Sequence, residues 1–257
     1  MARLVLLHAF PLDSSLWRGV AARLESAGHD VLAPDLRGFG TSGERVEGAA
    51  SSGLDRMADD VIAAIADWPS TVAKRGGSAD ATATIVAGCS MGGYVALAIA
   101  RRRPDVVTAL ALVDSKATAD DEAARSRREE VAVRAESGQD WSAGLITGLL
   151  GPTSRRSRPE VVAEVEAAIA RARPESVAWA QRAMAARPDS REMLAGLSVP
   201  VLALMGEEDT ISPREEQDLI VAAAPSARLA VIPGAGHLAP LECPEEVAAE
   251  LDAFATP

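Results

Sequence analysis

Short apolar runs alternate along this chain with longer stretches of helical character. Several runs are apolar throughout rather than at every second position, which is typical of strands covered on both faces. The alternation therefore predicts an α/β fold, in which a mostly parallel sheet carries helices on each side. The predicted strands cover residues 3–8, 30–34, 83–89, 109–113, 199–205 and 228–232.

Residues 117–195 interrupt this alternation, because they contain helical patterns and no convincing strand. Glycine and proline divide the segment at Gly138, Gly151-Pro152, Pro174 and Pro188. We therefore expect a core domain of residues 1–116 and 196–257, with residues 117–195 inserted as a helical cap at the carboxyl end of the sheet. The helices of the cap are predicted at 119–137, 141–149, 159–172 and 175–186, and surface loops at 43–53 and 74–83.

Composition limits the classes of partner. A net charge of −11 argues against nucleic acids and anionic membranes, since both attract clustered Lys and Arg. Cys89 and Cys243 lack metal-ligand spacing and are expected to be free thiols, and no pattern implies a metal or an organic cofactor. The apolar start of the chain is too short for the core of a signal peptide, so we expect a cytoplasmic protein. The sequence does not indicate an oligomeric state.

The segment Gly88-Cys89-Ser90-Met91-Gly92 carries the first sign of chemistry. It follows a predicted strand and precedes an Ala-rich helix, which is the setting in which G-x-S-x-G forms a nucleophile elbow. A serine in such a strained turn needs small neighbours, which the glycines provide. Ser90 is therefore the candidate nucleophile.

A serine hydroxyl needs a base, and histidine suits that task near neutral pH. Of three histidines, His237 lies in a glycine-rich loop after the last strand, whereas His29 is interpreted as a surface residue at a helix exit. An acid must fix the histidine tautomer. Asp209 follows a predicted strand and is favoured, with Asp114 as its competitor. Glu207 and Glu208 are interpreted as solvated loop charges.

Two backbone N–H groups are the candidate donors to a developing oxyanion. Met91 follows the nucleophile at the start of a helix, where N–H groups are free. The second donor is expected from the loop after the first strand, His8-Ala9-Phe10-Pro11, with Phe10 as the candidate.

Together these motifs resemble the α/β-hydrolase superfamily. The resemblance rests on residues 88–93, His8 to Pro11, Asp35 to Ser42, Gly206 to Asp209 and Gly236-His237, and it extends over essentially the whole chain. The order Ser90, Asp209, His237 matches the order of the triad in that family. The resemblance is nearest to compact esterases, lactonases and cofactor-free perhydrolases, and it places the helical insertion at the position of the family's cap.

The chain departs from the family pattern in three places. Its first strand corresponds to what is usually the third, so about six strands are expected instead of eight. Ala9 replaces the usual glycine after the strand-ending histidine. Cys89 precedes the nucleophile, where we expect a small buried apolar residue, with sensitivity to thiol reagents as the alternative. The segment from Asp35 to Ser42 is expected to brace a turn, which gives Arg37 no catalytic role.

The leading hypothesis is hydrolysis of a small carboxylic ester or lactone through an acyl-Ser90 intermediate. A perhydrolase or a C–C bond hydrolase would use the same triad. A ligand receptor built on this fold is an alternative of another class. Families with an aspartate nucleophile, the haloalkane dehalogenases and epoxide hydrolases, are disfavoured because Ser90 occupies that position. On the family expectation that cap helices cover the nucleophile, the candidate substrate-binding residues are Phe10, Trp17, Trp141, Leu145, Ile146, Leu149, Trp179 and Met184.

Overall fold

The computed structural model describes residues 1–42, 46–47, 49–69 and 84–256. Within them, six strands form one sheet in the order β2-β1-β3-β4-β5-β6, and every neighbouring pair is parallel. The predicted α/β fold with about six strands is confirmed. The strands are β1 (Arg3–Leu7), β2 (Asp30–Leu32), β3 (Thr84–Cys89), β4 (Val107–Val113), β5 (Val201–Gly206) and β6 (Ala227–Ile232).

The continuous apolar runs arise because both faces of the sheet are buried. Along β1, Val5 and Leu7 join one hydrophobic cluster, while Leu4 and Leu6 join a second cluster on the opposite face. Strand β6 lies at the edge and alternates between buried and exposed positions, with Val231 41% exposed. The parallel arrangement brings the carboxyl ends of all strands to one edge, where ligands bind in such sheets.

Helices cover both faces. Helices α1 and α12 contribute to the cluster with Leu4, and α2, α3 and α10 contribute to the cluster with Val5. The helices are α1 (Arg18–Ser26), α2 (Gly53–Asp67), α3 (Met91–Arg102), α4 (Glu122–Glu136), α5 (Leu145–Leu149), α6 (Pro152–Ser157), α7 (Pro159–Arg171), α8 (Pro174–Ala185), α9 (Arg191–Ala195), α10 (Arg214–Ala223), α11 (Ala239–Glu242) and α12 (Pro244–Ala255). None of the described helices is long and apolar enough to cross a membrane.

The segment between β4 and β5 contains helices α4 to α9. Helix α4 begins later than predicted because the Asp121 side chain caps it by accepting a hydrogen bond from the Ala124 N–H at 2.7 Å. Helix α5 is short because Gly144, in a left-handed conformation, precedes Leu145. The short helices α6 and α9 were not predicted. The division of the chain into a core and a cap stays a prediction.

Both predicted surface loops extend beyond the described part of the chain. Residues 43–45, 48 and 74–83 lie outside it. The end of the first predicted loop is a short 3₁₀ helix, Ala50–Ser52, which leads directly into α2.

Candidate active site

Ser90 occupies the turn between β3 and α3. Its backbone has φ of 52°, and its N–H donates to the Val113 carbonyl at 2.9 Å, which continues the pairing of β3 with β4. A Cβ on Gly88 would lie 2.1 Å from the Gly92 carbonyl oxygen, and a Cβ on Gly92 would lie 2.2 Å from the Leu7 carbonyl oxygen. The turn therefore requires glycine at both positions, as the motif predicted.

Ser90, His237 and Asp209 come together from the ends of three different strands. The Ser90 Oγ lies 2.8 Å from His237 Nε2, and His237 Nδ1 lies 2.9 Å from Asp209 Oδ2. His237 and Asp209 are almost fully buried. Because Nδ1 faces the carboxylate, the imidazole carries its proton there and Nε2 is free to accept the proton of Ser90.

Asp209 is held in its ionised form. Its Oδ1 accepts hydrogen bonds from the Ile211 and Ser212 N–H groups at 2.7 and 3.1 Å, and the Ser212 hydroxyl donates to Oδ2. Burial raises the pKa of Asp209, but the charge and hydrogen bond of His237 and the hydrogen bonds from residues 211 and 212 outweigh it and lower that pKa to about 2. Ser212 was not identified from the sequence, because a serine three residues after an aspartate is common in turns.

Asp114, the competing acid, is directed elsewhere. Its Oδ1 accepts from the Gly206 N–H at 2.7 Å and its Oδ2 from the Ala239 N–H at 3.0 Å, so the carboxyl joins the end of β5 to the start of α11. Burial and the nearby charge of Asp209 raise the pKa of Asp114 well above its usual value. The geometry thus places Asp209, and not Asp114, against His237.

A buried carboxylate organises the loop that carries His237. Glu242, 3% exposed, accepts hydrogen bonds through Oε1 from the Gly236 and Leu238 N–H groups at 2.9 and 3.1 Å, on either side of His237. Its Oε2 accepts from the Gly151 N–H at 3.0 Å, between α5 and α6. Glu242 therefore joins the loop of His237 to the segment between β4 and β5.

Two further contacts join the segment between β4 and β5 to the loops of His237 and Asp209. The His237 N–H donates to the Leu149 carbonyl at 3.1 Å, and the Glu208 carboxylate accepts from both the N–H and the hydroxyl of Thr153. The interpretation of Glu208 as a solvated charge was wrong, because it faces the N-terminal turn of α6. Glu207 accepts from the Gly234 N–H at 3.1 Å.

The two candidate oxyanion donors are backbone N–H groups that have no other partner among the described residues. In the part of the chain that the structure describes, neither the Met91 N–H nor the Phe10 N–H donates to another group. The loop of Phe10 is held by His8, whose Nε2 accepts from the Leu36 N–H at 2.9 Å while Nδ1 lies 3.0 Å from the Ala9 carbonyl. Burial lowers the pKa of His8 and keeps its ring neutral, as this pair of contacts requires.

The candidate substrate-binding residues separate into two groups. Phe10 and Trp141 have ring centroids 6.1 Å apart, and Phe39 lies 6.0 Å from Phe10 in an edge-to-face arrangement. Both candidates therefore belong to one aromatic group beside the proposed oxyanion donor. Trp179 and Met184 join the same hydrophobic cluster but pack within it, Trp179 against Gly53 and the Met184 sulfur against Arg128 at 3.4 Å.

The other four candidates belong to the cluster on the opposite face of the sheet. Trp17 is fully buried there, with Leu145, Ile146 and Leu149 in the same cluster. These four candidates therefore pack in a different hydrophobic cluster from the other four. Sequence spacing identifies an apolar position but does not indicate which face of the sheet it will meet.

Three other residues singled out in the sequence, His29, Asp35 and Cys89, are not members of the triad. His29 is buried rather than exposed, and its Nε2 lies 2.7 Å from Asp252 Oδ1, so its interpretation as a surface residue was wrong. Asp35 accepts from the Ser14 and Thr41 N–H groups, which braces the turn as expected. Cys89 is fully buried, and burial raises the pKa of its thiol well above the usual value, which disfavours the reactive thiolate.

Comparison with known proteins identifies the family to which the chain belongs. A family model described as the alpha/beta hydrolase family matches residues 4–250. A thermophilic esterase from Thermogutta terrifontis is 36% identical, with 99% of this chain and 89% of that chain covered and a TM-score of 0.87. The enol-lactonase from Burkholderia xenovorans LB400 shares the fold at 23% identity and a TM-score of 0.83, over 100% of this chain and 92% of that chain. A pimeloyl-[acyl-carrier protein] methyl ester esterase from Nitrosomonas europaea is 29% identical over 98% of this chain and 94% of its own length. The chain belongs to the α/β hydrolase family.

Proposed function

We propose that this protein is a serine hydrolase that cleaves a small carboxylic ester or lactone through an acyl-Ser90 intermediate. The observation that carries the proposal is the continuous hydrogen-bonded series from Ser90 Oγ to His237 to Asp209, with contacts of 2.8 and 2.9 Å. A nucleophile, a base and an orienting acid at these distances are the arrangement that acyl transfer to serine requires.

In the first half of the reaction, His237 Nε2 removes the proton of Ser90 as Oγ attacks the carbonyl carbon of the ester. The negative charge that develops on the carbonyl oxygen is stabilised by the N–H groups of Met91 and Phe10, each worth about 10²–10³ in rate. Asp209 stabilises the imidazolium. His237 then donates its proton to the leaving alcohol, which departs and leaves the acyl group on Ser90.

In the second half, His237 removes a proton from water, and the resulting nucleophile attacks the acyl carbon. The carboxylic acid leaves and Oγ regains its proton. In a lactone the leaving alcohol is part of the acyl chain, so it stays attached throughout and a single hydroxy acid is released in this step. The aromatic group of Phe10, Phe39 and Trp141 supports an apolar substrate beside the proposed oxyanion donor. The names of the relatives support the same class: a methyl ester esterase, a thermophilic esterase and an enol-lactonase.

The proposal is tested with p-nitrophenyl esters from acetate to octanoate, supplemented by methyl esters and a lactone. We expect turnover by the wild type and a loss of at least about 10³-fold in Ser90→Ala, because the acyl intermediate cannot form. Ser137→Ala, which removes an exposed hydroxyl at the end of α4, is the matched control and should keep wild-type rates. Wild-type turnover in folded Ser90→Ala would refute the mechanism.

A further inference from the structure

One cavity of the structure is lined by none of the triad residues. Its volume is about 200 Å³, and its walls come from α2, α3, the segment after β4, and the end of α8 with the residues that follow it. Its lining includes neither a member of the triad nor a candidate oxyanion donor. We call it the lateral cavity and define it by Leu54, Tyr94, Leu97, Ala98, Arg101 and Lys116.

The lateral cavity combines an apolar wall with positive charge. Leu54, Leu97 and Ala98 supply the apolar wall, while the charged lining consists of three cations, Arg101, Lys116 and Arg187, and one carboxylate, Asp55. The protein as a whole carries a net charge of −11. Each of the three cations has a carboxylate partner, so an anionic ligand with an apolar body needs a cation whose pairing is weak.

Two of these cations are already engaged. Arg187 donates to the Thr118 and Met184 carbonyls, pairs with Asp120 at 2.7 Å, and stacks on the Tyr94 ring with its guanidinium 4.2 Å from the centroid. Arg101 pairs with Asp55. Arg187 therefore fixes the Tyr94 ring and offers little to a ligand.

Two polar groups on the wall remain available. Among the described residues, Lys116 Nζ has one partner, Glu216 Oε1 at 3.8 Å, which is beyond hydrogen-bond distance. Tyr94 is 6% exposed, and its hydroxyl has no hydrogen-bond partner in the described part of the chain. Tyr94 is the only tyrosine of the sequence, and Lys116 is one of two lysines among 26 basic residues.

We infer that the lateral cavity binds a small monocarboxylate, whose carboxylate accepts from Lys116 Nζ and the Tyr94 hydroxyl and whose hydrocarbon part contacts Leu54, Leu97 and Ala98. The volume is below the about 300–1,000 Å³ of pockets for drug-sized ligands, which fits a short acid. A carboxylic acid is also the product class of the proposed reaction, but binding in this cavity does not depend on the reactivity of Ser90.

The experiment titrates Ser90→Ala protein with sodium hexanoate by isothermal calorimetry, with hexanamide as the uncharged comparison. Use of the Ser90→Ala variant separates this test from that of the proposed function, because no turnover is needed. We expect saturable binding of hexanoate and at least tenfold weaker binding of hexanamide, since the amide lacks the charge that Lys116 recognises.

Further substitutions in that variant assign the site. Lys116→Gln and Tyr94→Phe should each weaken hexanoate binding, by about tenfold or more for the lysine. Ala98→Leu keeps every charge but fills the cavity, and it should abolish binding. Arg228→Gln removes one exposed positive charge on β6 and is the matched control, which should bind as the parent does. The absence of saturable binding, or equal binding in the Lys116→Gln, Ala98→Leu and Arg228→Gln proteins, would overturn the inference.

Discussion

At the scale of single residues, two buried aspartates after neighbouring strands have different tasks. Asp209 faces His237 and is surrounded by donors that keep it ionised, whereas both oxygens of Asp114 accept backbone N–H groups. Both residues end strands in the sequence, so their positions along the chain do not distinguish them. The difference lies in which group each carboxyl meets across the sheet edge.

Asp209→Asn and Asp114→Asn should therefore have separate effects. Asp209→Asn removes the charge that orients His237 and stabilises its imidazolium, and we expect turnover to fall by about 10²–10⁴-fold. Asp114→Asn presents an NH₂ group to a backbone N–H, and we expect a loss of about 1–3 kcal/mol in unfolding free energy. Urea unfolding and ester turnover of the two variants check this. If a folded Asp114→Asn protein lost as much turnover as Asp209→Asn, the assignment of the acid to Asp209 would be wrong.

At the scale of elements, Glu242 joins the loop of His237 to the segment between β4 and β5 by hydrogen bonds. A carboxylate that accepts three backbone N–H groups at 2.9–3.1 Å limits the movement of each. Two of these groups flank His237, and the third belongs to Gly151. The position of His237 therefore depends on a contact with the segment between β4 and β5 as well as on β6.

Glu242→Gln should lower turnover without removing any group that touches the substrate. The amide NH₂ opposes a backbone N–H, so the loop shifts, and a shift of about 1 Å in a reacting group costs up to about 10²-fold in rate. We expect kcat to fall much more than KM, measured per active site by fluorophosphonate titration of Ser90. Glu246→Gln, an exposed carboxylate of α12, is the matched control. Unchanged kcat per titrated site in Glu242→Gln would show that the carboxylate only stabilises the fold.

The elements that the sequence predicts best are those in which the hydrophobic pattern follows directly from burial. The strands lie between two helical layers and therefore appear in the sequence as continuous apolar runs. The elbow at Ser90 is predictable because its glycines cannot be replaced by larger residues. The contacts of Glu242 and Glu208 were not predicted, because the local sequence around a carboxylate in an acidic segment does not indicate its hydrogen-bond partners. The contact of His29 was not predicted for the same reason, since its partner Asp252 lies 223 positions later. Long-range polar pairing is set by the tertiary fold and not by local periodicity.

At the scale of the whole molecule, a buried and neutral histidine, His8, makes the free energy of unfolding depend on pH. His8 is fully buried, accepts the Leu36 N–H and has a pKa below its usual value because of burial. The unfolded chain binds a proton on this residue below about pH 6.5, whereas the folded protein resists it. The contribution of His8 to stability is therefore present above that pH and is lost as the pH falls.

His8→Gln should reduce this dependence, because an amide oxygen can accept the Leu36 N–H and does not titrate. We expect the wild-type urea midpoint to fall relative to that of the variant as the pH is lowered from 8 to 5. Equal slopes of midpoint against pH for the two proteins would contradict the assignment of a neutral, buried His8.

The central claim, an acyl group carried on Ser90, is tested most directly by mass spectrometry of the protein during turnover. The best p-nitrophenyl ester of the panel is mixed with the wild type, the reaction is quenched in acid within milliseconds, and the intact mass and the peptide that contains Ser90 are measured. The account predicts an added mass equal to the acyl group, located on Ser90, which decays as the ester is exhausted and is absent from Ser90→Ala. Sustained turnover with no adduct on Ser90, or an adduct on another residue that decays at the turnover rate, would contradict it.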